Sequence, residues 1–309
     1  MRLAWGLLGS VIVAACTSTA GLSTGEDDLG DAGTKPKDGG TTKNDGGGLG
    51  DAPTPIEVRC DPSKAFGAPS LVTGFDATAD YVKSAVLTPD ELEVYYLRYQ
   101  GSGNWDLRHA RRAKPSDVWP SPETIPLNPS PDGFLSLTAG GLKLYFWTLE
   151  SNYKSTRPSV GSVFGAPAKY DVASGPYAFF VDADDTAYFA KIEEGGAERT
   201  IRKASANTSG FSYTSQVVPN LHAAGASDNY PVLNRSETVI YFASNRAGGK
   251  GLADVWVARR NDKLGEFGAP KHVPELSSDE PDQVTWVSDD DCEVLLDRAN
   301  HVYLAKRPK

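Results

Sequence analysis

The feature that most constrains this chain is a pattern that returns five times between residues 60 and 309. One part of it is an apolar run, a polar turn and a second apolar run. The first copies are Leu87-Thr88-Pro89-Asp90 leading to Val94-Tyr95-Tyr96, and Leu137-Thr138-Ala139-Gly140-Gly141 leading to Leu144-Tyr145-Phe146. Next come Val181-Asp182-Ala183-Asp184-Asp185 leading to Tyr188-Phe189, and Leu233-Asn234-Arg235-Ser236 leading to Ile240-Tyr241-Phe242. The last is Val287-Ser288-Asp289-Asp290-Asp291 leading to Val294-Leu295-Leu296. The other part is an aromatic residue followed by small ones: Phe66-Gly67-Ala68-Pro69, Trp119-Pro120-Ser121-Pro122, Phe164-Gly165-Ala166-Pro167, Phe211-Ser212-Tyr213 and Phe267-Gly268-Ala269-Pro270. Apolar runs around turns of Asp, Asn, Ser and Gly read as hairpins. Sustained helical periodicity is lacking, and Pro and Gly recur too often for long helices.

The copies lie about fifty residues apart, and each holds several short extended runs. That combination predicts an all-β fold over residues 59–309: a five-bladed β-propeller of four-stranded antiparallel blades. The fourth copy shows the unit best. Residues 230–233 read as an inner strand, 239–244 and 254–259 as the next two, and 271–273 as the outer one.

Within that copy, Ser244-Asn245-Arg246, Gly248-Gly249 and Asp254-Val255-Trp256 follow Ile240-Tyr241-Phe242. This resembles the TolB-type, WD40-like "PD40" propeller repeat. Thr88-Pro89-Asp90 is similar to that family's Ser/Thr-Pro-Asp turn. The resemblance is carried by the fourth copy and extends over the domain through the repeat spacing. It implies that Asn245, Arg246, Asp254 and Trp256 hold the blade together, with Asp and Arg paired across the turn and the aromatic filling the space between blades.

The fifth copy stops after three strands, whereas the first is preceded by a spare extended segment at 69–72. The N-terminal strand is expected to close the last blade, which removes two unpaired sheet edges. Cys60 lies just before that strand, and Cys292 lies at the turn between the first two strands of the last blade. Under this closure the two fall on one side of one blade, and a disulfide between them is expected in an oxidising compartment. The alternative is two separate thiols.

The N-terminus reads as a targeting segment. Arg2 precedes an apolar run at 3–15, which is shorter than the ~20 residues of a membrane span. It ends in Val13-Ala14-Ala15-Cys16, which resembles the bacterial lipobox. The resemblance implies that residues 1–16 are a lipoprotein signal peptide and that Cys16 is the lipid anchor. An ordinary signal peptide with a chance cysteine is the alternative. Thr17 stands where an Asp would retain such a protein in the inner membrane, so the expected address is the cell envelope, anchored to the outer membrane. Residues 17–58 are rich in Gly, Asp and Thr and have little to bury, so a disordered linker is expected there.

Chemistry is harder to find. A net charge of -9 with no basic stripe excludes a nucleic-acid partner. The four histidines, His109, His222, His272 and His301, lack zinc-site spacing. There is no nucleophile elbow and no phosphate-binding loop. No catalytic residue, metal or cofactor is assigned. The segments leading into the inner strands carry acids, and in a propeller they surround one mouth of the channel. Asp80, Tyr81, Asp132, Asp228, Tyr230 and Asp282 are the candidate binding residues there. They form either an acidic funnel for a cation, sugar or basic peptide, or a rim where Asp caps turns. The expected function is a monomeric, non-catalytic binding or scaffold module for a protein or glycan partner, meeting the membrane through its lipid. The alternative is a glycan hydrolase using acids at the channel mouth.

Overall fold

Five copies of one turn organise the chain in the structure, a computed structural model that describes residues 58–75, 81–101, 103–138, 140–148, 151–170, 179–207, 210–211 and 215–309. The expected signal peptide, Cys16, the expected linker through residue 57 and Asp80 lie outside the described residues. Each turn places one residue in the left-handed region: Glu91, Gly141, Asp185, Glu237 and Asp291, with φ of 57°, 67°, 59°, 57° and 57°. Its N–H donates to the residue that opens the turn, as from Glu91 to the Thr88 carbonyl at 2.8 Å. In four turns the opening residue also caps the next strand through its side chain. Thr88, Asp182, Asn234 and Ser288 accept the backbone N–H of Glu93, Thr186, Val239 and Glu293. Short polar side chains that bond to nearby backbone explain why these residue types open the turns.

The strands pair into five antiparallel sheets. The first blade is Val82–Leu87, Glu93–Gly101, Asn104–Arg111 and Glu123–Ile125. The second is Gly133–Leu137, Lys143–Trp147, Asn152–Thr156 and Ala168–Lys169. The third is Phe179–Val181, Thr186–Ile192, Arg199–Asn207 and Gln216–Val217, with Gly210–Phe211 folded back on its long strand. The fourth is Asp228–Leu233, Val239–Ser244, Asp254–Arg259 and Lys271–His272. The fifth is Asp282–Val287, Glu293–Arg298 and His301–Lys306, closed by the N-terminal strand Ser70–Leu71. Ser70 faces Leu304 and Leu71 faces Tyr303 in that closure. The five-bladed propeller and its expected closing strand are both present.

A second repeated device was not read from the sequence. Arg112, Arg157, Arg260 and Arg307 each follow the third strand of a blade. Each donates Nε to the carbonyl of its blade's left-handed turn residue, at 2.9, 2.7, 2.6 and 2.8 Å. Each guanidinium also lies over the blade's anchoring aromatic: Trp119 at 4.0 Å, Phe164 at 4.8 Å, Phe267 at 4.3 Å and Phe66 at 3.8 Å. The aromatic-Gly-Ala-Pro anchor is therefore the seat of an arginine clamp. The third blade lacks it. Its turn is one residue shorter, closing Asp182 N–H on Thr186 rather than on the fifth residue along, and Ala206 stands where the others have arginine.

The core lies between blades rather than within them. One buried cluster forms at each boundary, such as Tyr241 and Val255 of the fourth blade against Val294 and Leu296 of the fifth. The boundary between the second and third blades is the thinnest among the described residues, with six buried members against nine to eleven elsewhere.

Cys60 and Cys292 are joined by a disulfide, with Cα atoms 5.6 Å apart. Both are buried, and the bond fixes the start of the domain to the last blade across 232 residues of sequence. The blade-holding set differs in one respect from what the resemblance implied. Arg246 pairs with Asp228 at 2.5 Å, not with Asp254. Asp254 accepts the Lys250 N–H at 2.9 Å and so caps the glycine turn. Trp256 is buried beneath the Arg246 guanidinium, 5.0 Å from it.

Candidate functional site

The inner strands finish on apolar residues, each followed by a turn-opening polar residue. Leu87, Leu137, Leu233 and Val287 do so in four blades, and Phe180 and Trp286 fill in beside them. Together these residues floor a cavity of about 360 Å3 at the turn-side mouth of the channel. Below it the channel narrows to gaps of about 40 and 30 Å3. The cup is therefore closed below and does not continue as an open passage through the ring.

The rim is charged. Arg59, Glu91, Arg235, Asp289 and Asp290 line it. The acids are engaged within the protein. Arg59 pairs with Glu91 at 2.5 Å, with Asp290 at 3.4 Å and with Glu293 at 3.2 Å, bridging the last blade to the first. Asp289 accepts the Ser236 N–H at 3.0 Å, and Asp290 accepts from Ser288 Oγ and the Cys292 N–H. Arg235 is exposed and has no hydrogen-bond or ion-pair partner among the described residues.

The opposite, loop-side half of the channel is built differently. Four inner strands slip register there, between Lys83 and Val86, Gly133 and Leu135, Asn229 and Val232, and Val284 and Trp286. Bulges of this kind redirect side chains. Ser84, Phe134 and Tyr230 sit at the slips with φ of 58°, 22° and 54°, and all three line the narrowest gap. Asp297 is buried beside them. It accepts the Ser84 N–H at 2.8 Å and Gln283 Nε2 at 3.1 Å on one oxygen, while its other oxygen has no partner among the described residues. Burial pushes its carboxyl up to about 7 against the pull of those donors and of Lys83. Burial likewise lowers Lys83, whose ammonium reaches the Asp132 carbonyl at 3.2 Å and lies 3.8 Å over the Trp105 ring.

The candidate residues read from the sequence do not gather as a funnel. Asp228 is fully buried and is held by Arg246 and, at 3.1 Å, by His222. Asp282 is likewise buried, paired with Arg298 and capped by Ser278 N–H at 2.6 Å and Ser278 Oγ at 2.8 Å. These acids open inner strands, and the arginine at the far end of the neighbouring strand reaches across to each. Their carboxylates thus tie the first and second strands of one blade together instead of facing the mouth. Asp132 is half-buried and presents its carbonyl to Lys83. Tyr81 is 41% exposed and meets Tyr99 edge-on at 5.5 Å, with Trp105 at 6.5 Å. Tyr230 packs on Phe134 at 4.9 Å, and burial raises its hydroxyl. Tyr81 and Tyr230 therefore share an aromatic band on the loop side, and the acids do not.

The cup was missed, although its signal was in the repeat. In four blades a floor residue, Leu87, Leu137, Leu233 or Val287, is the last apolar residue before a turn-opening Thr, Asn or Ser. In the third blade the expected Val181 is fully buried and Phe180 takes the place at the cavity. Asp297 carried a fainter signal, as an acid closing the apolar run Val294-Leu295-Leu296.

Strand order and ring closure define the class: a disulfide-closed, five-bladed β-propeller with a cup at one mouth. Neither a protein-family model nor a curated protein matches the sequence. Among solved structures the chain is similar to TolB from Acinetobacter baumannii, at 14% identity over 74% of this chain and 54% of that one, with a TM-score of 0.46. It spans about half the length of that TolB. It is similar to a putative TolB from Agrobacterium tumefaciens, at 16% identity over 70% and 69% of the two chains and a TM-score of 0.44. The catalytic domain of the Coprinopsis cinerea GH62 alpha-L-arabinofuranosidase matches at 10% identity over 79% of this chain and 97% of that one, with a TM-score of 0.49.

Proposed function

We propose that the chain is a lipid-anchored envelope protein whose propeller binds a protein or glycan partner in the turn-side cup without transforming it. The supporting observation is the cup itself: an apolar floor of about 360 Å3 under a rim whose acids are all tied to arginine or to turn backbone. Hydrolysis of a glycoside would need two carboxylates about 5–9.5 Å apart around an open site. Asp228 and Asp282 are held in buried ion pairs, and Asp297 is buried against Ser84 and Gln283. The anchor is supported by the run at 3–15 ending in Val13-Ala14-Ala15-Cys16.

Two measurements test the reading. A photo-crosslinking residue at Ser236 on the rim, compared with one at the outer, exposed Val118, should capture a partner in intact envelopes only from the rim. Purified protein should release no sugars from peptidoglycan fragments or polysaccharides. Sugar release that disappears in Asp132→Asn or Asp297→Asn would overturn the binding function in favour of a hydrolase. For the anchor, palmitate labelling should vanish in Cys16→Ala, and unchanged labelling refutes it.

A further inference from the structure

We infer that the cup is a receptor for a polypeptide C-terminus, with an apolar last side chain on the floor and the terminal carboxylate on Arg235. This rests on the proposal that the cup is the binding site, and it narrows the partner to one chemistry.

Three observations select that occupant. The first is depth. A cavity of about 360 Å3 is near the small end of ligand pockets, which run from roughly 300 to 1,000 Å3. The gap beneath it is about 40 Å3, so a long acyl chain has nowhere to go. The second is the floor. Leu87, Leu137, Phe180, Leu233 and Val287 offer hydrocarbon and no hydrogen bond, and Trp286 has a single indole N–H. A sugar ring pressed there would leave hydroxyls unpaired, whereas an aliphatic or aromatic side chain would not. The third is charge. Glu91 and Asp290 pair with Arg59 and Asp289 bonds turn backbone, which leaves Arg235 as the rim's cation without a partner among the described residues. A guanidinium matches a carboxylate with two parallel hydrogen bonds. A chain end supplies a carboxylate and an apolar side chain on the same carbon, close enough to meet the rim and the floor together.

The test uses the full-length protein and a fluorescein-labelled peptide, Gly-Ser-Gly-Ser-Ala-Leu, as its free acid and as its C-terminal amide. The free acid should bind about tenfold tighter than the amide, the scale of one charged hydrogen-bond pair. Arg235→Gln should erase that difference while its circular dichroism and melting temperature stay those of the wild type. Equal binding of acid and amide overturns the carboxylate contact and leaves the cup as a binding site. An oligouronate that binds through Arg235 when the peptides do not overturns the peptide occupant in favour of an acidic glycan. If neither peptide nor oligouronate binds while Ser236 still crosslinks a partner, this inference fails and the broader function survives.

Discussion

At one end of the channel the inner strands finish on Leu87, Leu137, Leu233 and Val287, and at the other they begin on buried acids such as Asp228 and Asp282 and bulge soon after. The same five strands thus make two unlike mouths. On the turn side, tight left-handed turns hold the strand ends apart and leave an open apolar floor. On the loop side, each ion pair ties an inner strand to the next strand of its own blade, the strands bulge, and Phe134, Tyr230 and Ser84 crowd into the gap. The difference teaches that buried charge here serves assembly. The mouth that carries acids uses them inside its own blades, and the apolar mouth is the one that stays open. Each prediction below alters one mouth and asks what the other does.

The largest effect is expected at the turn side. Replacing Cys60 and Cys292 with serine frees the start of the domain from the last blade. A loop of 232 residues lost from the constraint should cost about 5 kcal/mol on chain entropy alone. Cys60 follows Arg59, and Cys292 follows the rim acids Asp289 and Asp290, so the cup should loosen first. Hydrogen exchange should rise in the turns around Glu91 and Asp291 before it rises around Tyr230. Uniform exposure of both mouths would mean that the ring opens as one unit and that the contrast between them is not one of stability.

Next is Asp297, at the closed mouth. Burial keeps its carboxyl protonated up to about pH 7 in the folded state, whereas unfolded it ionises near pH ~4. Between those values the folded state holds a proton that the unfolded state has released. Stability should therefore fall as pH rises through this window and level off above it, by on the order of 4 kcal/mol. Asp297→Asn should flatten that slope in denaturant titrations at pH 4, 5.5 and 7.5. Binding at the cup should not change. A slope that survives the substitution would assign it to another group.

How much of this was legible in the sequence follows from what kind of contact each feature rests on. The turns were readable because Thr88, Asp182, Asn234 and Ser288 act on backbone only a few residues away. The closing strand and the disulfide were readable because a missing strand at one end and a spare one at the other leave one economical solution. The arginine clamps were hidden, although Arg112, Arg157 and Arg260 each stand seven residues before their aromatic. The fourth joins Arg307 to Phe66 across the whole chain and breaks the spacing. The loop-side acids were misjudged for a related reason. An Asp beside a turn reads as solvated unless the arginine that reaches it, 18 residues on for Asp228 and 16 for Asp282, is recognised as its partner.

A smaller effect tests whether the bulges carry strain. Ser84 is buried at φ 58°, and its hydroxyl has no partner among the described residues. Glycine tolerates that backbone and removes the orphaned group, but it adds freedom to the unfolded chain. The left-handed cost and the unpaired hydroxyl should outweigh that freedom, so Ser84→Gly should stabilise by about 1 kcal/mol. Its effect on the cup should be nil. A loss of stability would show that the bulge is held by contacts of Ser84 rather than tolerated in spite of it.

The smallest effect is the most discriminating, because it separates arginines that share one face. Arg157 is fully buried, paired with Glu93 at 2.7 Å and bonded to the Gly141 carbonyl, so it belongs to the scaffold. Arg235 lies on the same side of the ring, exposed, with nothing among the described residues to hold. Removing a charge that pairs with nothing should shift stability by less than about 0.5 kcal/mol. Thermal melts of Arg235→Gln should therefore overlay those of the wild type. Should the melting temperature drop by several degrees instead, Arg235 would be part of the turn's own architecture. An arginine kept only for a ligand is expected to be silent until the ligand is present.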